Sequence, residues 1–584
     1  MLILSIQTGH NATVGLVENG EIVGLFSQEK VDNVKNSAAF PSEAIHALLK
    51  ETGHCLDDID EIAVASNVIF PPDAYEYLYD KRNRIRNKNS AIALAKTVRE
   101  SKIGPYFNPV FKILSKLRLK HLARQGDKYL NKMFKELGLD NKKTTNIEHH
   151  TCHAYSAYYG LCDDFSEPAL IFTADGSGDG LSATVSVAKN GVVERIASTP
   201  QFSSLGGIYS NTTRFLGMKI LEHEYKVMGL APYSKGYEAD LYNRVFAPVI
   251  DLDDNNPLVF KSTVDASKFY DYLVEHAVGE RFDNIAGAVQ MLLETLVVKW
   301  IENAIEKTGI TNIYTGGGLF MNVKLNKRIQ ELTKINKIKF LPSCGDESNP
   351  IGAGYALALK NNEKLKPLNN LYLGVSYSER EIESFINERN LFELYEVKKC
   401  DDIESEIAKL LAQKEIVARF SGRCEWGARS LGNRAILAHP SYMESFYTVN
   451  DLIKARDFWM PFAPSILDNY AGSYLEDYDP NKLDAPYMIT AYRATKIGLE
   501  HLRAALHQGD HTLRPQVVTK SVNPKYYELI SSFEKLSGVG AVLNTSFNLH
   551  GYPLVATPEQ AIMTLENSGL KHLALENYLL SKRS

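Results

Sequence analysis

"PALIFTADGSGDGLSATVSVA", residues 168–188, decides how the first half of this chain folds. An apolar run, a polar turn with three glycines and an alternating run read as strand, turn, strand. The segment continues through Asn190–Gly191 into "VVERIAS". An Asn-Gly pair between apolar alternating runs is a strong hairpin signal. The first residues follow the same plan: "LILSIQT", "GHNA", "TVGLVE", Asn19–Gly20, "EIVGLFS". Two copies of strand, glycine-containing turn, strand, Asn-Gly, strand predict an internal duplication. Each first turn would bring backbone N–H groups toward an anion at the mouth of a cleft. Two unrelated antiparallel meanders are the plainer alternative.

A chain of 584 residues is too long for one core, so about two to four domains are expected. Composition is ordinary for a globular protein, with 44% apolar and 23% charged residues and a net charge of −5. That slight acidity gives no global signal for a nucleic-acid partner. The cysteines (Cys55, Cys152, Cys162, Cys344, Cys400, Cys424) are scattered and form no CxxC pair. This favours a reducing, cytoplasmic setting over a disulfide framework. The start, "MLILSIQTGHNATVG", lacks a basic region and a long apolar core, so no signal peptide is expected. No apolar run is read as long enough to span a bilayer, and no membrane partner is expected.

Between the two copies, residues 81–143 hold 18 Lys and Arg against 4 Asp and Glu. "YLNKMFKEL" (129–137) puts Tyr129, Leu130, Met133, Phe134 and Leu137 on one helical stripe. A basic helical insertion over about 71–143 is therefore expected, packed by its apolar face. Its charge is either a solvated face or a lure for an anionic substrate or nucleic acid. No glycine- or aromatic-interleaved RNA motif accompanies it.

"EHHTCHAYSAYYG" (148–160) places His149 and His153 one helical turn apart, facing the same way. Two imidazoles so spaced can reach one metal. The zinc-protease pattern would need glutamate where His150 stands, so that reading fails. The alternative is a buried or capping cluster. "NIYTGGGLFMNVKLN" (312–326) reads as strand, triple-glycine turn and helix, and glycines 316–318 would admit a ligand close to the backbone. "IKFLPSCGDESNPIGAGYALAL" (338–359) follows, with Asp346 as the candidate third ligand. Two imidazoles and a carboxylate, with open positions, suit a divalent iron-type or zinc-type ion.

"KNNEKLKPLNN" (360–370) is the best linker in the chain, and the domain boundary is placed there: 1–362 and 363–584. The second part carries four polar clusters. "RFSGRCEWGARSLGNRAILAHP" (419–440) holds Arg423, Glu425, Arg429, Asn433 and Arg434 on a glycine-rich loop. "VNDLIKARDFWMPFAPSIL" (449–467) holds Lys454 and Arg456, and "HQGDHTLRPQVV" (507–518) holds His507, Asp510, Thr512, Arg514 and Gln516. "VLNTSFNLHGYPLV" (542–555) holds Asn544, Thr545, Ser546 and Asn548. Arginine forks suit phosphate and carboxylate oxygens, and glycines let the anion come near. Together they describe a polyanion site suited to a nucleotide or an acyl phosphate.

At these residues the chain resembles the nodulation-factor and antibiotic O-carbamoyltransferases over nearly its whole length. The matching stretches are "GHNAT" (9–13), "HHTCHA" (149–154), "DGSGDG" (175–180), "EYKVMGLAPY" (224–233), "GGGLFMN" (316–322), "GDE" (345–347), "EWGARSLGNRAIL" (425–437), "PFAPSIL" (461–467) and "NTSFN" (544–548). Their order and spacing together are specific. The resemblance implies an α/β protein: a duplicated actin-like ATPase (ASKHA) fold of the kind seen in actin, hexokinase and heat-shock ATPases, similar to the tRNA threonylcarbamoyladenosine transferase. A carbamoyl-adenylate-forming, YrdC-like domain would follow.

The activity implied has two steps. Carbamoyl phosphate is cleaved, and the carbamate attacks the α-phosphate of ATP, giving carbamoyl-adenylate and pyrophosphate. A hydroxyl of a small-molecule or glycan acceptor then attacks the carbonyl carbon. By resemblance His10, Arg423, Arg429 and Asn544 are catalytic candidates. Asn11, Asp175, Gly317, Gly318, Asn322, Arg434, Lys454, Arg456, Arg514, Ser546 and Asn548 are candidates for holding substrate or nucleotide. His149, His153 and Asp346 would hold a divalent metal, with Fe2+ first in line, and Mg2+ would accompany ATP. A homodimer is a candidate assembly. The sequence departs from the family pattern in places: Asn11 stands where aspartate is common and Thr13 where serine is. Ser348 and Pro350 alter the loop after Asp346, Ala428 replaces proline, and Met460 replaces arginine.

Three other readings compete. A tRNA-modifying enzyme would grip RNA with the basic insertion. An actin-like sugar or acetate kinase would release ADP and need no second polyanion domain. An inactive scaffold would have no reason to keep these histidines, arginines and asparagines together. The acceptor is left open by the sequence.

Overall fold

The structure is a computed structural model that describes residues 1–69, 71–72, 123–454 and 456–583. Strands β1 (Leu2–Gln7), β2 (Thr13–Glu18), β3 (Glu21–Ser27), β4 (Glu61–Ala65) and β5 (Lys143–Ile147) form one sheet in the order β3-β2-β1-β4-β5. Next come β6 (Ala169–Gly178), β7 (Leu181–Lys189), β8 (Val192–Pro200) and a ribbon of β9 (Ile250–Asp253) and β10 (Asn256–Ser262). With β11 (Asn312–Gly316) and β12 (Lys337–Phe340), strands β6 to β8 form a second sheet, in the order β12-β11-β6-β7-β8. Both sheets have one connectivity: a three-stranded antiparallel meander whose first strand is flanked by two parallel strands. Both meanders turn at an Asn-Gly pair with positive φ, 49° and 77° at Asn19–Gly20 and 50° and 75° at Asn190–Gly191. These are the dihedral signs of the hairpin turn that matches strand twist.

The helices His149–Leu161 and Asn349–Lys360 pack between the two sheets. They approach closely because Gly352 has no side chain: a Cβ there would lie 1.9 Å from Cys152 O. The second part of the chain is an eight-stranded mixed sheet. Its central strands Val417–Phe420, Arg434–Ala438, Ala541–Ser546 and Ala463–Leu467 are almost entirely buried. The whole is an α/β protein.

Three expectations need comment. Most of the basic insertion lies outside the described residues. Its last turns, the helix at 123–136, bury Leu130 and Phe134, with Tyr129, Met133 and Leu137 partly buried, as the apolar stripe predicts. The helix Phe282–Thr308 is long and apolar enough to cross a membrane, contrary to the sequence reading. Its apolar side is instead core, with Leu292, Leu293, Val297 and Trp300 buried.

The segment at 360–370 is not a free tether. Lys366 N donates to Gly20 O and Leu368 N to Gly160 O, both at 2.9 Å, and Leu365 is buried. The chain then runs as an extended bridge. Leu25 N of β3 donates to Leu373 O at 3.0 Å, and across the bridge Gly374, Trp426 and Cys424 exchange backbone hydrogen bonds of 2.8–3.0 Å with Cys424, Leu371 and Val375. Polar composition records exposed side chains; it says nothing of a backbone bonded on both edges.

Candidate active site

The helix His149–Leu161 starts where it does because two acids take its free N–H groups. Glu148 accepts from His150 N at 3.2 Å and Thr151 N at 2.7 Å, and Arg195 holds Glu148 in place. Asp179 Oδ2, in the turn after β6, accepts from His149 N at 2.9 Å and Asn67 N at 2.8 Å. The first helical turn is thereby fixed against the "DGSGDG" turn.

His149 and His153 then point Nε2 at a common place, 3.1 Å apart. Asp175 Oδ2 lies 3.2 Å from His149 Nε2 and 3.4 Å from His153 Nε2. Asp346 Oδ1 lies 3.4 and 3.5 Å from the same two nitrogens. All four donor atoms fall within 4.8 Å of one another. Ligands held about 2.1 Å from one ion are roughly 3.0–3.4 Å apart in octahedral or tetrahedral arrangement, so these spacings fit a single divalent cation. Asp346 Oδ1 is also buried without a hydrogen-bond donor. Ser66 Oγ pairs with His149 Nδ1 at 3.0 Å, orienting the ring. Burial works against the charge on His153, yet the Asp175 and Asp346 carboxylates raise its pKa to about 9. Burial likewise opposes ionisation of Asp175, and the two imidazoles overcome it, holding the carboxyl well below the usual range.

His150 is turned away, bonded through Nδ1 to Thr173 Oγ1 at 2.8 Å. Burial and the two neighbouring histidines push its pKa down to about 3. His10 Nε2 reaches Asp346 Oδ2 at 3.5 Å, at the edge of the centre. The sequence reading assigned Asp175 to nucleotide and not to this group. The signal for it was an acid at the end of β6, the strand equivalent to β1 in the repeat.

The predicted glycines shape the same cleft. Gly317 has φ +94°, and a Cβ there would meet Ala174 O at 2.3 Å; one at Gly318 would come 2.9 Å from Asp175 Oδ1. Asn322 caps the helix Val323–Gln330 by accepting from Leu325 N at 3.0 Å. It also exchanges two hydrogen bonds with Gln290, at 2.8 and 3.1 Å, so both acceptor positions of its Oδ1 are filled. Asn11 Nδ2 donates to Glu347 Oε2 at 3.3 Å.

In the second part, Arg429, Arg456, Arg514 and Lys454 converge. Burial lowers the pKa of each, and neighbouring cations lower three of them further: Arg456 acts on Arg429 and Lys454, and Arg429 and Arg456 act on Arg514. Among the described residues none of the four has a carboxylate within ion-pair distance. Nε of Arg429 and of Arg514 is buried with no acceptor. The three arginines keep part of their surface open. Clustered, partly desolvated cations without counter-charges are poised for an anion. Lys454 differs from the arginines: it is buried, and its Nζ donates to Ser546 O and Asn548 Oδ1 at 2.5 Å and Asn548 O at 2.9 Å, so it adds charge behind the arginines and has no N–H left for an anion. Asn544 donates to Ser430 O and Ser465 Oγ at 3.2 and 3.0 Å, and its Oδ1 is buried without a donor. The residue before Arg429 touches the first part: Ala428 N donates to Ser343 Oγ at 2.9 Å.

Arg423 and Arg434 do not join this cluster, contrary to expectation. Arg423 donates to Gly374 O at 2.9 Å, Leu373 O at 2.8 Å and Val23 O at 3.2 Å. Arg434 is fully buried, donates to Ser421 O at 2.9 Å and Gly422 O at 3.0 Å, and stacks on Phe420. A guanidinium fork fits carbonyl oxygens as well as phosphate oxygens, and motif spacing does not separate the two uses.

A histidine–carboxylate group that could hold a divalent metal thus shares one α/β chain with a set of partly buried arginines. The family model described as carbamoyltransferase N-terminus matches residues 2–355, and that described as carbamoyltransferase C-terminus matches residues 408–582. The chain belongs to the carbamoyltransferase family and is a transferase. Nodulation protein NolNO of Sinorhizobium fredii is 28% identical over 98% of this chain and 79% of its own. Nodulation protein NolO of Bradyrhizobium diazoefficiens is 30% identical over 75% and 79%. An uncharacterized protein of Methanocaldococcus jannaschii is 29% identical over the full length of both. Among solved structures, full-length HypF in its phosphate- and nucleotide-bound form covers 62% of this chain and 56% of its own, at 15% identity and a TM-score of 0.33.

Proposed function

We propose that the protein is an ATP-dependent O-carbamoyltransferase acting on a hydroxyl of a small molecule or glycan. The observation that carries this is the carboxylate-free cluster of Arg429, Arg456, Arg514 and Lys454 in the same chain as the His149, His153, Asp175 and Asp346 group. Residues 1–362 would form the duplicated, actin-like transfer domain and residues 363–584 the YrdC-like, adenylate-forming domain. The two family matches, ending at 355 and beginning at 408, support that division.

Arg429, Arg456 and Arg514 would neutralise carbamoyl phosphate and the phosphates of Mg2+–ATP, with the buried charge of Lys454 behind them. Carbamoyl phosphate is cleaved to carbamate and phosphate. A carbamate oxygen attacks the α-phosphorus, pyrophosphate leaves, and carbamoyl-adenylate results. The acceptor hydroxyl then attacks the carbonyl carbon, AMP departs, and the hydroxyl proton passes to His10. A positioned base of this kind contributes about 10²–10⁴-fold. A divalent ion on His149, His153, Asp175 and Asp346, Fe2+ being one that suits this donor set, would supply positive charge beside the leaving phosphate. Asn544 Oδ1, buried and lacking a donor, would accept from the carbamoyl NH2. The unpaired thiols favour a cytoplasmic location.

Product analysis tests the reading. Protein incubated with ATP, Mg2+ and carbamoyl phosphate should give AMP and pyrophosphate only when carbamoyl phosphate is present. ADP formed without carbamoyl phosphate would overturn it in favour of a kinase.

A further inference from the structure

The loop carrying Asp346 and the loop carrying Arg429 come from opposite ends of the sequence, and one hydroxyl joins them. Ser343 Oγ accepts from Ala428 N at 2.9 Å and donates to Glu347 Oε1 at 2.6 Å. Glu347 Oε2 accepts from Asn11 Nδ2 at 3.3 Å. Asn11 adjoins His10, whose Nε2 is 3.5 Å from Asp346 Oδ2. Ser343 and Glu347 are buried, at 4% and 8% exposure, so water does not compete for these bonds.

The backbone around the contact is built for it. Ser343 sits at φ +50°, a conformation unfavourable for a residue with a side chain, and Gly427 opposite it at φ +97°. A Cβ at Gly427 would fall 2.6 Å from Ser343 Cβ. Such strain persists only where surrounding contacts hold it. Asn11 and Ala428, two of the positions at which the sequence departs from the family pattern, are the two ends of this hydrogen-bonded chain.

We propose that Ser343 is a positioning residue that locks the Arg429 loop of the second part onto the Asp346 loop of the first. The lock sets the distance between the arginine cluster and the histidine–carboxylate centre. Arg429 follows Ala428 directly, so releasing the Ala428 N–H frees its guanidinium to drift from Arg456 and Arg514, which lie on other loops. This rests on the reading of that cluster as an anion site.

Calorimetric titration of the full chain with inorganic pyrophosphate tests it. Ser343→Ala keeps the Cβ and its packing but removes both hydrogen bonds, and Ala428→Pro removes the N–H from the other side. Each should weaken pyrophosphate binding by about 3- to 10-fold. The double variant should be no weaker than the weaker single one, because both break one bond. In an Arg429→Met background, Ser343→Ala should have no further effect, whereas general loosening would still weaken binding. Variants that bind like the wild type, or factors that multiply in the double variant, would overturn the lock and leave the anion site standing. A wild-type protein that does not bind pyrophosphate would overturn both.

Discussion

The ring of His149 lies directly on the backbone of Gly178: a methyl group there would come within 2.1 Å of the ring carbons. The ring has little room to yield, because its Nδ1 is bonded to Ser66 and the backbone N–H of His149 to Asp179. Gly178→Ala should therefore displace a donor of the cation centre without disturbing the core. Competition with a chromogenic chelator should register a divalent-metal affinity lower by about tenfold or more. An unchanged affinity would remove His149 from the ligand set.

Asp175 separates two roles. As a metal ligand, Asp175→Asn should lower metal affinity at least as much as Asp346→Asn, by about 10- to 100-fold. As a nucleotide contact alone, it would raise the KM for ATP and leave metal affinity where it was. Metal titration and ATP kinetics on the same preparation decide between them.

The arginines of the second part should divide into two groups. Arg514→Met removes one of several mutually repelling cations, so the fold should survive while the KM for carbamoyl phosphate or ATP rises by about 10- to 100-fold. Arg434→Met strips donors from buried carbonyls at Ser421 and Gly422. It should destabilise the protein by about 2–4 kcal/mol, read as a shifted urea midpoint. The reverse pattern would show that the placement of these side chains has been misread.

Acid should act on the cap of the histidine helix. Burial alone would raise the Glu148 carboxyl, but Arg195 and Thr151 bring it down from 4.5 to about 2. A lowered folded-state pKa adds stability above the ordinary value, and that stability is lost as pH falls toward 2. Wild type and Arg195→Met should differ most in urea midpoint near pH 7, and the gap should narrow below pH 4.5 and close as pH approaches 2. A gap that stays constant over this range would mean that the pair contributes nothing through Glu148.

The duplicated sheets were legible because strand period and Asn-Gly turns are local signals, and both hairpins form as read. The two histidines were legible for the same reason: one helical turn fixes their relation. Asp346 was read as the third ligand and Asp175 was not; both meet the histidines only through the pairing of β6 with β11 and β11 with β12, which no local pattern encodes. Arg423 and Arg434 look like Arg429 in sequence. What separates them is whether a carbonyl lies in reach, and that depends on the packing of Gly374 and Gly422. The backbone bonds of the segment at 360–370 were not legible for a related reason, since their partners, Gly20 and Gly160, are far away in sequence.

That bridging segment also bears on how such a protein can be rearranged. Between Leu371 and Val375 the chain is at once an added edge for β3 and a partner for Cys424 and Trp426. A recombination point placed there would give each fragment an unfinished seam. Chimeras with relatives should work only when the crossover falls outside the seam and both of its flanks come from one parent.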